Sequence, residues 1–304
     1  MSGYFANPQT IRDRMKLPAF ALLFFSSALF AAGSASAGPS GAHARGLASH
    51  KAVYDIDLVA THSGSQIINI SGKMTYQWKR TCDAWVTDHE FLLDYNYADS
   101  PGMRIQSDFS TYETDDGKSL DFTSQRTRDG EMYQRLRGHA GIEPGKPGIA
   151  RFNAPEGIKF DLLPGTVFPV AHTLELIKKA EEGERFYSAA VFDGSDDEGP
   201  IEINSFIGKP ASLSQVPKGA DIDASLLKDK AWHVRMAVFP EKDREEKSDY
   251  EMSLIFHKNG IISDMLIEYD DFSVTQKLVS LEKVAADSCG GAAKVSAVAS
   301  PAKP

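Results

Sequence analysis

The stretch Leu162–Gly183, LLPGTVFPVAHTLELIKKAEEG, decides the fold, because it alone reads as a helix once the leader is set aside. Val170, Leu174 and Ile177 follow the i, i+4, i+7 spacing that puts one apolar stripe on one side of a helix, and Ala180 extends it. Gly183 supplies the left-handed residue that a helix C-terminus needs. Lys178 and Lys179 sit in the last turns, where cations suit the helix dipole. His172 lies off the stripe and reads as a hydrogen-bonded structural histidine at the sheet boundary, with ligand contact as the sharper alternative.

Outward from this segment the chain alternates in strand fashion. Ile68, Ile70, Met74, Tyr76 and Trp78 share one face, with Gly72 in phase as the mark of a bend or bulge. Trp85, Thr87, His89, Phe91, Leu93, Tyr95 and Tyr97 share the next. Asp115-Asp116-Gly117, Arg128-Asp129-Gly130 and Lys258-Asn259-Gly260 are hairpin signals. Residues 208–230, broken by Gly208, Pro210, Pro217 and Gly219, read as an irregular loop. About a dozen strands joined by short turns give a mainly β chain. The expected fold is a single antiparallel domain over 50–289, an open or spiral-like β-barrel with one amphipathic helix.

The start of the chain fixes the compartment. Arg12, Arg14 and Lys16 precede the apolar run Leu17–Ala32, and Ala35-Ser36-Ala37 completes the pattern of a cleaved signal peptide over 1–37. Met15 is an alternative start to Met1. Residues 38–49 read as a flexible lead-in, and the Ala-, Ser-, Lys- and Pro-rich residues 290–304 as a disordered tail. Export to the periplasm is the expectation, with no transmembrane segment in the mature chain.

The net charge is −9 for the whole chain, and losing the leader makes it more negative. That balance argues against a nucleic-acid partner, whose backbone rewards basic grooves. Two cysteines, Cys82 and Cys289, form a disulfide in an oxidising compartment; the alternative is two buried thiols.

No motif carries chemistry. HExxH, CxxC and G-x-S-x-G are all missing, and the eight histidines are scattered, so no catalytic residue, metal site or cofactor is assigned. The acidic run Asp193–Glu198 offers oxygen ligands but lacks the EF-hand spacing, and reads as a hairpin tip. Arg126, Arg128, Arg135 and Arg137 make a basic spot for a phosphate or a partner's carboxylates, or else an ordinary solvated strand face. The aromatic crowd that includes Trp78 and Trp85 lines a cavity for an apolar ligand or packs as solid core, and solid core is the plainer reading.

The segment Leu163-Pro164-Gly165-Thr166, Phe168-Pro169, His172-Thr173, Leu176-Ile177 resembles the signature of the cell-envelope integrity protein EipB family of alphaproteobacteria. The likeness covers roughly His50 to Cys289, with the opening HKAVYDIDL, the FDGSDD turn and the two distant cysteines. It fails only in the longer leader and the Ala/Pro tail. The resemblance implies a periplasmic broken β-barrel with a helix, tied by a Cys82–Cys289 disulfide. It also implies a role in envelope integrity under stress, no established enzymatic activity, and a tetratricopeptide-repeat protein as partner.

Three functions follow from these observations. The leading one is a non-enzymatic periplasmic factor that works through another envelope protein. The second is a carrier for a lipid or a lipoprotein acyl chain, and the third an enzyme on an envelope polymer. Candidate contacts for a ligand or partner are His172, Trp78, Trp85, Arg126 and Arg135.

Overall fold

In the computed structural model the described residues are 46–211, 221–240, 247–287 and 289. The leader over 1–37, the choice of start codon, most of the lead-in and the tail over 290–304 lie outside them. Eight strands come first: β1 (His50–Thr61), β2 (Ile67–Arg80), β3 (Ala84–Tyr97), β4 (Met103–Thr114), β5 (Ser119–Arg128), β6 (Glu131–Gly141), β7 (Gly148–Ala154) and β8 (Glu156–Leu162). The helix α1 (Pro169–Glu182) follows. Seven more strands complete the chain: β9 (Phe186–Val191), β10 (Ile201–Pro210), β11 (Asp221–Ile222), β12 (Ala231–Pro240), β13 (Tyr250–His257), β14 (Ile262–Glu268) and β15 (Phe272–Lys283).

All fifteen strands belong to one sheet. Its order is β8 back to β1, then β15 to β12, then β10 and β9, with β11 alongside β15. Neighbours are antiparallel except β11 and β15. The first and last strands therefore pair in the middle of the sheet, and its two edges, β8 and β9, are the strands that flank the helix in sequence. The barrel is open there. Val167, just before the helix, partly bridges the opening: its N–H donates to the Ala190 carbonyl and its own carbonyl accepts from Phe192 N.

Short turns set this order. Asp129 (φ 51) and Gly130 (φ 84) both take positive φ between β5 and β6, the conformation of a two-residue hairpin loop. The segment read as loop over 208–230 contains the end of β10, the two-residue β11 and a 3-10 turn at Ala224–Leu227. Residues 212–220 of it lie outside the described ones.

Two strands depart from the sequence phase. In β2 the register slips between Ile67 and Asn69, so Ile67 is buried while Ile68, expected inside, is 62% exposed. Gly72 sits in unbroken register with Ile56 and Leu93, so it is not a bulge. It marks a close approach instead, since a Cβ there would lie 2.1 Å from the Leu92 carbonyl oxygen. In β9, where the alternation Phe186, Ser188, Ala190, Phe192 reads as the apolar face, it is Tyr187, Ala189 and Val191 that join the core, and Phe186 is turned outward against Phe206.

The apolar interior divides in two. The larger cluster joins β1–β4 to β10–β15 and takes in Val170, Leu174, Leu176, Ile177 and Ala180 of α1. The smaller fills the curl of β5–β8 with Leu120, Phe122, Leu136 and Phe152, closed by Phe168 at the start of the helix and Phe192 just past β9. Leu47 joins the larger cluster and Ala48 N–H donates to the Asn259 carbonyl, so the lead-in read as flexible is docked from Leu47 onward.

Cys82, in the turn after β2, is bonded to Cys289, beyond β15, with Cα atoms 5.4 Å apart. Lys79 and Asp287 form an ion pair beside it at 2.6 Å. Because β1 lies between β2 and β15, the bond pins the central strands on which both halves hang. It closes a loop of 207 residues, which in the chain-entropy model stabilises the fold by about 5 kcal/mol. Cys82→Ser should therefore lower the melting temperature clearly, and reductant should lower that of the wild type to match. An unchanged melt with two titratable thiols in the wild type would refute the bond.

Candidate functional site

The inward faces of the strands do not meet at the centre. They enclose a cavity of about 380 Å³, lined mainly by apolar side chains from both halves of the sheet and by α1. Aromatic rings form one wall. Tyr76 meets His89 edge-on at 4.5 Å, His89 meets Phe109 at 6.0 Å, and Trp78 stands beside them. Met74, Met236, Met252 and Met265 supply much of the rest. Methionine is unbranched and polarisable, and it suits a surface that must accept guests of varied shape. The aromatic crowd is thus a lining and not solid core. Trp85 stands apart: it is buried against Trp78 at 5.0 Å, under the Arg80 guanidinium, and does not reach the cavity.

The helix holds the open side of the cavity. Its first residue is proline, which needs no partner for a missing N–H, and Phe168 at the N-cap has no side-chain oxygen to offer. The cap comes from across the barrel. Glu113 of β4 is 2% exposed, and its two oxygens accept from Val170 N (2.7 Å) and Ala171 N (2.9 Å). The positive end of the helix dipole faces the same carboxylate. At the far end Gly183 takes φ 80, and its N–H and that of Glu184 satisfy the Ala180 and Lys179 carbonyls. Glu181 there pairs with Lys258, in the turn after β13. One helix is thereby fastened to both halves of the sheet.

This position explains why α1 is buried on more than the stripe expected. Val170, Leu174, Ile177 and Ala180 are buried as read, but so are Ala171, His172 and Leu176. Pro169, His172, Thr173 and Leu176 face the cavity. His172 is therefore not at a wet boundary. Its ring stacks on Tyr187 at 5.4 Å, and its Nε2 is buried without a hydrogen-bond partner among the described residues. Burial lowers its pKa to about 4, so the ring is neutral at neutral pH.

The arginines read as one basic spot are divided by the sheet. Arg126 follows Phe122 and Ser124 on the inward phase of β5 and reaches the cavity wall. Its Nη1 donates to Gln134 Oε1 (2.8 Å) and its Nη2 to the Ser195 carbonyl (3.0 Å). Arg135 and Arg137 are exposed on β6, and Arg128 lies over the Tyr133 ring at 4.9 Å. The alternation Leu120, Phe122, Ser124, Arg126 carried this signal in the sequence. Proximity along the chain, followed in its place, groups residues that point to opposite faces.

The acidic run Asp193–Glu198 is likewise no exposed hairpin tip. Ser195 and Asp196 are buried, and Asp193 and Ser195 line the cavity next to Arg126. The turn is held by its own side chains: Asp193 Oδ1 accepts from Ser195 N, and Asp196 Oδ1 from Glu198 N. Burial raises the Asp196 carboxyl to about 8, helped by the nearby Asp193, and pushes Asp193 upward too. Among the described residues no three His, Cys, Asp or Glu side chains converge as metal ligands. His257 Nε2 and Ser263 Oγ lie 2.9 Å apart, but both are buried away from the cavity and no partner orients His257 Nδ1.

Comparisons with known proteins agree with this architecture. The model of the family described as EipB-like matches residues 41–285. The cell envelope integrity protein EipB of Brucella abortus (strain 2308) is 31% identical over 254 residues, covering 83% of this chain and 88% of its own. A crystal structure of a beta-barrel-like protein of a domain of unknown function, also from Brucella abortus, superposes with a TM-score of 0.72. It is 30% identical and covers 79% of this chain and 99% of its own.

The Glu113 contact has a pH signature. Burial raises its carboxyl to about 8 against an ordinary 4.5, and the two backbone N–H groups oppose the shift without cancelling it. A raised folded-state pKa means that the folded chain binds the proton more tightly, so this contribution is complete below 4.5 and is lost as pH rises through 8. Asp196 adds to the same trend. Below pH 6.5 the buried neutral His89 and His172 oppose this trend, because they gain a proton only on unfolding; above it, between about pH 7 and 8, the melting temperature should fall, and Glu113→Gln should flatten that fall. Glu113→Ala, which strands two helix N–H groups, should cost about 2 kcal/mol or more in denaturant unfolding. A wild type whose stability rises over this range would contradict the assignment.

Proposed function

The chain belongs to the EipB-like family, and on that basis we propose that it is an exported, non-enzymatic protein that keeps the cell envelope intact by holding an apolar guest. The observation that carries this reading is the cavity of about 380 Å³, within the size range of small-ligand sites and walled by aromatic and methionine side chains. Trp78 and His172 are its candidate guest contacts. The envelope role comes from the printed name of the Brucella relative. The periplasm and stress resistance are part of the same proposal, supported by the leader read in the sequence.

A protein partner is the second reading, favoured by a different face. Phe186 and Phe206 are 49% and 56% exposed and meet at a tilt of 59°, ring centroids 5.1 Å apart, on the outside of β9 and β10, next to the open edge of the sheet. An aromatic pair of this kind suits an apolar patch on another envelope protein, a tetratricopeptide-repeat protein among them. Trp85 is buried under Arg80 and does not serve that contact, while Arg135 is exposed and remains available to it.

Complementation separates the two readings. Cells lacking the gene should become sensitive to detergent and cell-wall antibiotics, and the wild-type chain should restore them. Met252→Trp fills the cavity without touching the outer face, and it should fail to restore resistance while being exported and melting cooperatively. Phe186→Asp with Phe206→Asp should restore resistance if the guest is what matters. Full rescue by Met252→Trp together with failure of the double variant would reverse the order of the two readings.

A further inference from the structure

The cavity is not uniformly apolar, and its one arginine is unusually placed. Arg126 presents a guanidinium to a space walled mostly by rings, methionines and aliphatic chains, with Asp193, Ser195 and a few hydroxyl groups among them. Both its hydrogen bonds end on neutral oxygens, those of Gln134 and of the Ser195 backbone. The arginines in ion pairs among the described residues are Arg80, Arg104 and Arg235; Arg126 is not one of them. A guanidinium has five N–H donors in a planar fork, so donors remain to be met after these two bonds. A permanently charged group beside an apolar space is costly unless an anion shares it.

Asp193 and Asp196 are the internal groups that could supply that anion, and both feel Arg126 through space. Neither lies within ion-pair distance of it. Burial favours the protonated form of each, and Asp196 titrates only near 8. The remaining titratable groups around the cavity, His50, His89 and His172 and the tyrosines Tyr54, Tyr76, Tyr95, Tyr250 and Tyr269, are all driven toward their neutral forms by burial. Among the described residues the charge on Arg126 is thus left without a matched partner.

We propose that the guest is a single-chain amphiphile with an anionic head, the head paired with Arg126 and the chain laid along the aromatic and methionine walls. The inference rests on the carrier reading and names the chemistry of its ligand. A cavity of about 380 Å³ suits one chain rather than a two-chain lipid. A carboxylate and a phosphate monoester both offer the paired oxygens that a guanidinium fork receives, so the head is defined by charge and geometry. Gln134 holds the fork in place, since it accepts from Nη1 and donates its own amide to Asp197 at 3.2 Å.

The test uses the purified mature chain with laurate, dodecyl phosphate and dodecanol, read by calorimetry and by the emission of Trp78 at the cavity wall. Both anionic compounds should bind the wild type about tenfold or more tightly than the alcohol. Arg126→Gln should bring them within about threefold of dodecanol, whose own binding should not change and so reports an intact cavity. Arg126→Lys should keep most of the preference. Equal binding of acid and alcohol by the wild type, or a preference that survives Arg126→Gln, would overturn the proposal and leave the carrier reading standing. Binding of none of the three would remove the carrier reading itself. Tighter binding of the phosphate than of laurate, lost in Arg126→Gln, would assign the head to the phosphate class.

Discussion

The buried carboxylate of Glu113 holds the first turn of α1, and the shape of the molecule depends on that contact. The sheet has two edges that do not pair with each other, β8 and β9, and the segment from Val167 into the helix lies at that opening. Its own sequence does not cap it: a proline and a phenylalanine open it, and no nearby hydroxyl or carboxylate reaches its first N–H groups. A residue 57 positions upstream does so instead. The C-terminal half is fastened by Lys258 from the opposite wall. The buried stripe of α1 supplies the rest of the hold, and the half-exposed Lys258–Glu181 pair adds little to it.

A helix fixed at both ends across an opening does two things at once. It packs against the edge strand β9, whose unpaired N–H and C=O groups would otherwise recruit other chains. It also keeps the two walls far enough apart that their inward side chains do not interdigitate, and a cavity survives where a solid core would otherwise form. The methionines at Met74, Met236, Met252 and Met265 fit that outcome, because flexible side chains can line a space without dictating one shape. The buried acidic turn and Arg126 then give this space a polar end. The disulfide acts on another part of the same problem, by pinning β2 to the segment beyond β15 across the first strand.

Much of the fold could be read from residues. The period-two alternation, the Asp129-Gly130 turn and the apolar stripe with Gly183 at its end all act through local geometry, and they appear as expected. The phase errors have local causes as well. A bulge at Ile68 reverses the face of one residue, and Phe186 attracts an inward reading by its size although β9 turns it out against Phe206. What was not legible is whatever depends on residues far apart. The capping of α1 by Glu113 cannot be inferred from a lone glutamate in a strand. The burial of Ser195 and Asp196 within the acidic run runs against composition, since acidic runs are ordinarily solvated. The cavity itself is a property of spacing between walls, which hydrophobic patterning does not report. The inward position of Arg126 was recoverable from alternation, and adjacency to other arginines obscured it.

A guest in the cavity is the claim on which the functional reading turns, and native mass spectrometry of the chain purified gently from its own cells tests it most directly. A discrete mass increment, released on denaturation and identified as an amphiphile with one chain, is the expected result. Protein that runs at its bare mass in every preparation, and that takes up no amphiphile when offered a membrane extract, would contradict it.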